Sequence, residues 1–183
     1  MPAYWIAKPH ENVAADISVS DKLMTAGPAG PLNPGTTYGQ TFTAAENNLS
    51  IVDVLIATYN HRPSKGVLKM RLRESAKDRW DIAAVAVGAR SINDCTYVRL
   101  AFPPITDSAH RSYYLELETE DLAKEEHLTV FLSGQDVYGG GNFWVNRVSR
   151  ITQDMCFRTY YTRGLCPSCT PAVQEDVVFQ NKP

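Results

Sequence analysis

This chain is short of several things, and each shortage narrows what it can be. It contains no run of about 18 apolar residues, the length a membrane-spanning helix requires, so no direct membrane span is expected within it. Basic residues are not in excess: 18 Lys and Arg stand against 20 Asp and Glu, for a net charge of -2. A dedicated nucleic-acid binder carries a basic excess or stripe to neutralise phosphates, so nucleic acid is not an expected partner. The N-terminus, "MPAYWIAKPHENVAAD", lacks the continuous apolar stretch of about 7–15 residues that marks a secretory signal. If the domain works outside the cytoplasm, its export signal or a membrane segment lies elsewhere, and this chain is then part of something larger.

Signatures of catalysis are missing too. There is no G-x-S-x-G, no P-loop and no G-x-G-x-x-G. "YGGGN" at 138–142 is glycine-rich but lacks the lysine and following helix that cradle a phosphate; a tight turn needing positive φ is the expected use of its glycines. Cysteines number four: Cys95, Cys156, Cys166 and Cys169. The last two form "CPSC", followed by Thr-Pro and no helical pattern, unlike a thioredoxin-type redox motif. A zinc site wants a second pair or histidines at ligand spacing, and no His follows His127. Inert or locally bridged thiols are the expected reading, with longer-range disulfides, metal and redox chemistry behind it.

What is present is alternation. In "VLKMRLR", Leu68, Met70 and Leu72 face one way while Lys69, Arg71 and Arg73 face the other. "YYLELE" sets Tyr113, Leu115 and Leu117 against Tyr114, Glu116 and Glu118. "YVRLAF", "LTVFL" and "MCFRTYY" repeat the pattern, and "SIVDVLIAT" is apolar on both faces, as a doubly covered strand would be. Period-two runs with turn signals between them indicate an antiparallel sandwich or barrel. Two windows suit short helices: "EDLAKEE" at 120–126, and the alanine-bearing "DRWDIAAVAVGAR" at 78–90, whose period is ambiguous. At 183 residues one core suffices. Residues 1–36, with the strand-like "ADISVS" and the Pro/Gly-rich "KLMTAGPAGPLNPGT", read as an arm or linker, 37–162 as the domain, and 163–183 as a cysteine-bearing tail. In "AFPPITDSAHRSYYLELE", Pro103 and Pro104 cannot donate to a ladder and are expected to end a strand. Asp107 and Ser108 then hold a turn, and the next strand begins at Ser112.

Three phrases resemble a known group. "YGQTFTAAENNLSIVDVLIATY", "FPPITDSAHRSYYLELE" and "YGGGNFWVNRVSRITQDMCFRTYY", in that order, are similar to phrases of bacterial accessory jelly-roll domains of the carbohydrate-binding-module type. The resemblance covers residues 37–161; the insertion at 148–152 and the tail "LCPSCTPAVQEDVVFQ" depart from it. Such domains are attached to membrane glycosyltransferases and other cell-envelope proteins. The resemblance therefore implies an all-β, jelly-roll-like antiparallel β-sandwich, an extracytoplasmic or envelope setting, a glycan or polysaccharide partner and neighbouring domains of a parent protein. Jelly rolls of this type often hold a structural calcium ion. The oxygen-rich corner at Glu46, Asn47 and Asn48 is the candidate for it, without any EF-hand-like spacing. No other cofactor is expected.

A sugar site wants an aromatic platform flanked by groups that hydrogen-bond hydroxyls. Two places offer this mixture. One is the loop with Asp136, Tyr138, Asn142 and Trp144. The other is the turn with Tyr59, Asn60, His61 and Arg62, taken together with the cationic face Lys69, Arg71 and Arg73. The plain alternative at both is a polar outer sheet face with aromatics buried at strand ends. A glycosidase needs two carboxylates roughly 5–10 Å apart across a cleft, and no spacing selects such a pair. Glu116 and Glu118 share a strand face about 7 Å apart, and a solvated face is the expected reason. Non-catalytic carbohydrate binding is the leading expectation. A structural or assembly sandwich making protein–protein contacts is the first rival, and a small hydrolase on the same scaffold the second.

Overall fold

A computed structural model describes residues 27–162, apart from 135 and 137. The strands are β1 (Gly27–Pro28), β2 (Thr37–Thr43), β3 (Leu49–Ala57), β4 (Val67–Arg73), β5 (Ala83–Gly88), β6 (Thr96–Ile105), β7 (Ser112–Glu120), β8 (Thr129–Leu132), β9 (Phe143–Val145), β10 (Val148–Arg150) and β11 (Phe157–Tyr161). Six of them form one antiparallel sheet in the order β10-β9-β2-β7-β4-β5; the other sheet runs β1-β8-β3-β11, with β6 also paired to β3. The chain crosses from sheet to sheet between β2 and β3, β3 and β4, β5 and β6, and onward, so neighbours in a sheet are rarely neighbours in sequence. This is the expected jelly-roll-like sandwich.

The alternation set which side chains turn inward. Leu68, Met70 and Leu72 of β4 and Leu115 and Leu117 of β7 are completely buried, facing Val52, Val54 and Ile56 of β3. Phe42 packs on Tyr113 and Phe157 with ring centroids 5.7 and 5.5 Å apart. All nine residues of β3 are buried, because β6 lies along one side of it and β8 and β11 along the other. On its outer face Asp53 takes a bidentate pair from Arg99 at 2.9 and 2.8 Å, and Arg158 lies over the Tyr97 ring at 3.9 Å.

Four expectations change. Residues 78–90 are not helical: they contribute β5, paired along β4 from Val67↔Gly88 to Leu72↔Ala83, followed by one 3-10 turn at Ala89–Ser91. The open edge of β4 supplies backbone partners, and alternate residues Ala83 and Val85 face the core, which overrides alanine's helical preference. Residues 120–126 form turns rather than a helix, with Asp121 at φ 56. Pro103 and Pro104 do not end a strand: β6 runs through them to Ile105. Ile51 pairs with Ala101 and Leu49 with Ile105, so three residues on β6 oppose one on β3. A bulge on a strand paired along one side only is where proline is tolerated in a sheet. None of the glycines of "YGGGN" has positive φ, and two of them serve space: a Cβ on Gly141 would collide with the Thr41 carbonyl and one on Gly140 with the Tyr138 ring.

Part of the supposed arm belongs to the sandwich. Gly27–Pro28 pairs with β8, and Leu32 is fully buried, donating its N–H to Leu128 O at 2.8 Å and accepting from Thr119 Oγ1 at 2.7 Å. "ADISVS", Cys166 and Cys169 lie outside the described residues. The turn at Asp107 and Ser108 is present, but their side chains do not bond its own backbone: buried Ser108 ties it to the β2–β3 corner, donating to Glu46 O at 2.8 Å and accepting from Leu49 N–H at 3.0 Å, and Asp107 pairs with Arg111.

Candidate functional site

The outer face of the six-stranded sheet gathers the chain's most unusual side chains. Cross-strand register aligns Trp144 (β9), Gly39 (β2), Glu116 (β7), Arg71 (β4) and Ala84 (β5) in one row, and Thr41, Tyr114 and Arg73 in the next. Gly39 makes the face possible. A Cβ there would stand 2.5 Å from two carbons of the Tyr114 ring, so only glycine leaves room for that ring to lie across β2. Tyr114 is fully buried in consequence, meets Trp144 edge-on with centroids 5.8 Å apart, and Trp144 Nε1 donates to Thr41 Oγ1 at 3.3 Å. Burial, with the charge of Glu116 beside it, pushes the Tyr114 hydroxyl well above its ordinary pKa.

Beside the aromatics lies a network of charges. Arg73 reaches Asp81 Oδ1 through Nε at 2.6 Å and Glu116 Oε1 through Nη1 at 2.9 Å. Arg147 Nε holds the other Glu116 oxygen at 3.1 Å. Arg71 donates to Glu118 at 2.5 Å and lies 3.6 Å from Asp81, and Lys69 pairs with Glu120. Four cations thus meet four carboxylates. The Glu116 side chain is 2% exposed and that of Arg73 7%. The expectation of a solvated face is therefore corrected for Glu116, while Glu118, at 24% side-chain exposure, is only partly withdrawn from water. Hydrogen bonding to the Arg71 guanidinium holds the Glu118 carboxyl below the usual range, against the opposing effect of burial.

At the β5 end of this face the loop between β4 and β5 forms a hollow of about 220 Å³, lined by Glu74, Asp78, Trp80, Asp81 and Ile82. Trp80 is 87% exposed. The loop that carries it is nonetheless held at several points. Ile82 N–H donates to Leu72 O at 2.7 Å, Ser75 Oγ donates to Asp78 Oδ2 at 2.8 Å, and Asp81 is clamped by both arginines. Glu74 pairs with Arg111 at 2.9 Å.

The eight residues expected at ligand sites divide three ways. Trp144, Arg71 and Arg73 share the outer face just described. Tyr138 and Asn142 are built into the scaffold. Tyr138 Oη donates to Thr43 O at 2.9 Å and accepts from Thr43 N–H at 3.0 Å, its ring meets Phe157 edge-on at 5.5 Å, and its N–H donates to the buried Asp154 at 2.9 Å. Asn142 exchanges backbone contacts with Thr41, while Asp136 is exposed on the same loop. Tyr59 and His61 are exposed in the β3–β4 turn, where Tyr59 and Asn60 have φ of 54 and 60, and the turn is tied down by Asp94 through Thr58. That turn enters β4 at Val67, and Arg73 is about 20 Å further along by strand rise, so turn and cationic face are two places, not one.

Trp80, Asp78 and Asp81 fall at the start of the window 78–90, whose ambiguous period hides them as a group, and Glu74 lies just before it. The available signal was "KDRWDI": a tryptophan bracketed by charges suits the core of neither a helix nor a strand. Among the described residues no group of three or more His, Cys, Asp or Glu could hold a metal ion. At the oxygen-rich corner, Asn47 Oδ1 accepts from Ala109 N–H and Asn48 O from Thr162 N–H. Cys95 is exposed and Cys156 buried, neither in a disulfide among the described residues, and burial pushes the Cys156 thiol up to about 11. Among the described residues no helix is long and apolar enough to cross a membrane.

No family model matches this chain, and no curated protein does.

Proposed function

We propose that this sandwich is a carbohydrate-binding accessory domain of an envelope-associated protein, a glycosyltransferase being the kind of parent its phrases suggest, and that it holds its glycan without transforming it. The observation that carries this reading is Trp80, which is 87% exposed and stands in a hollow with three carboxylates. An indole left almost wholly in water forgoes the burial that a side chain of that size normally gains. Stacked on the C–H face of a sugar ring it recovers that burial, while Asp78, Asp81 and Glu74 accept from the sugar's hydroxyls. The loop is pinned by Asp81 and Ile82 before any ligand arrives, so little ordering entropy is lost on binding.

A glycan array tests this, read with the wild-type protein and with Trp80→Ala. The expected result is binding that Trp80→Ala removes while its melting temperature stays put. Absence of binding to every glycan by the folded protein would overturn it. Protein–protein assembly has one observation in its favour: Val148 and Ile151, 59% and 70% exposed in and just after edge strand β10. Sedimentation of Val148→Glu with Ile151→Glu tests that reading, which requires an oligomer that the double variant dissociates.

A further inference from the structure

Resting on the glycan reading, the charges of the Trp80 hollow say which glycans fit. Of the three carboxylates lining it, two have their own cations: Glu74 is paired with Arg111, and Asp81 with Arg73 and Arg71. Arg111 in turn shares its guanidinium with Asp107 at 2.9 Å, so it brings no spare positive charge. Asp78 differs. Its carboxylate accepts from the Ser75 hydroxyl and, among the described residues, is in no ion pair. The lining residues include no Lys or Arg; Lys77 and Arg79 are exposed on the same loop but do not line the hollow. An uncompensated carboxylate thus shares the hollow with an indole face that is open to water. Both attract a cation, the one by charge and the other through the negative face of its π system.

We propose that the hollow selects amino sugars, seating a protonated primary amine between the Asp78 carboxylate and the Trp80 ring. Acidic sugars are disfavoured by the Asp78 carboxylate, and an N-acetylated sugar, having lost the positive charge, gains only stacking and neutral hydrogen bonds. The stem of the discrimination is Asp78, since Glu74 and Asp81 are already neutralised by neighbours.

The test is isothermal titration of the full chain with three probes: tetramers of β-1,4-linked glucosamine, of N-acetylglucosamine and of a uronic acid. The glucosamine tetramer is expected to bind about tenfold tighter than the N-acetylated one, the sum of an exposed cation–π contact and one exposed charge pair. The preference should weaken as salt rises. Asp78→Asn should bring the two probes level without abolishing binding, and Trp80→Ala should remove binding of both. Equal affinities for the two tetramers in the wild type, or a preference that survives Asp78→Asn, overturns the inference while leaving the glycan reading intact. If no tetramer binds and the wider array is also blank, the glycan reading itself is overturned and the inference goes with it.

Discussion

Glu116→Gln is the sharpest probe of the charged face, because it removes one charge and almost no volume. In the wild type Glu116 is 2% exposed and faces Arg73 at 2.9 Å, Arg147 at 3.1 Å and Arg71 at 3.8 Å. Removing its charge leaves three guanidiniums around a neutral amide. Arg147 is 51% exposed and can turn to water, and Arg71 keeps Glu118. Arg73 is 7% exposed and keeps only Asp81. Breaking a buried pair from one side costs about 3–5 kcal/mol; with Asp81 still in place the lower end applies, about 3 kcal/mol. For a chain of this size that lowers Tm by about 6–12 °C. The measurement is urea unfolding and calorimetry of Glu116→Gln, Arg73→Met and the two together. The double variant should be less destabilised than the sum of the singles by at least about 1.5 kcal/mol, because it removes the orphaned charge along with its partner. A Glu116→Gln protein within about 0.5 kcal/mol of wild type, the usual range for a surface substitution, would refute the reasoning and restore a solvated face.

Other outcomes follow from the same geometry. Gly39→Ala should destabilise by about 1–3 kcal/mol through overpacking against the Tyr114 ring, and adding Tyr114→Ala should remove most of the clash term, read as non-additivity in urea midpoints. Glu118 has a folded pKa below its unfolded value, so its contribution is present above about pH 4.3 and is lost as pH falls through the lower folded value; Glu118→Gln should therefore flatten the loss of stability between neutral pH and about pH 3. Trp80→Ala should change stability by less than about 0.5 kcal/mol, whereas Tyr138→Ala should cost about 3–5 kcal/mol as a large aromatic truncation at the core edge, so thermal melts of the two separate surface from scaffold. Native protein should leave Cys156 unreacted toward a thiol reagent, its thiol being buried and its pKa raised to about 11, with reaction appearing only on unfolding.

Inward faces were legible because they depend on period alone. Leu68, Met70 and Leu72 had to go one way whatever lay opposite them, and Ile51 and Leu55 on the second face of β3 pointed to a strand covered on both sides. The misreadings share a different origin. Whether Ala83–Gly88 becomes a helix or a strand depends on a free edge of β4, and whether Pro103 and Pro104 end β6 depends on β6 having a partner along one side only. Both are facts of strand order. Leu32 sits among linker-like residues, and nothing local says that it will plug the core between β7 and β8.

The outer face shows the same dependence in its plainest form. Alternation placed Lys69, Arg71 and Arg73 outward on β4 and Glu116, Glu118 and Glu120 outward on β7, but the two strands are separated in sequence and nothing local joins them. Once β7 is known to lie beside β4, the register sets Lys69 opposite Glu118 and Arg71 opposite Glu116. The closest pairs are not the directly opposite ones. Lys69 takes Glu120, Arg71 takes Glu118 and Arg73 takes Glu116, each cation reaching one outward position along. Such diagonal contacts are within reach of long side chains on a twisted sheet. The register itself sets Arg73 opposite Tyr114 rather than a carboxylate, and Arg73 reaches two acids to either side, Glu116 and Asp81. Asp81, the neighbour of the exposed Trp80, is thereby tied to a charge ladder that begins at Lys69 on the same strand as Arg73.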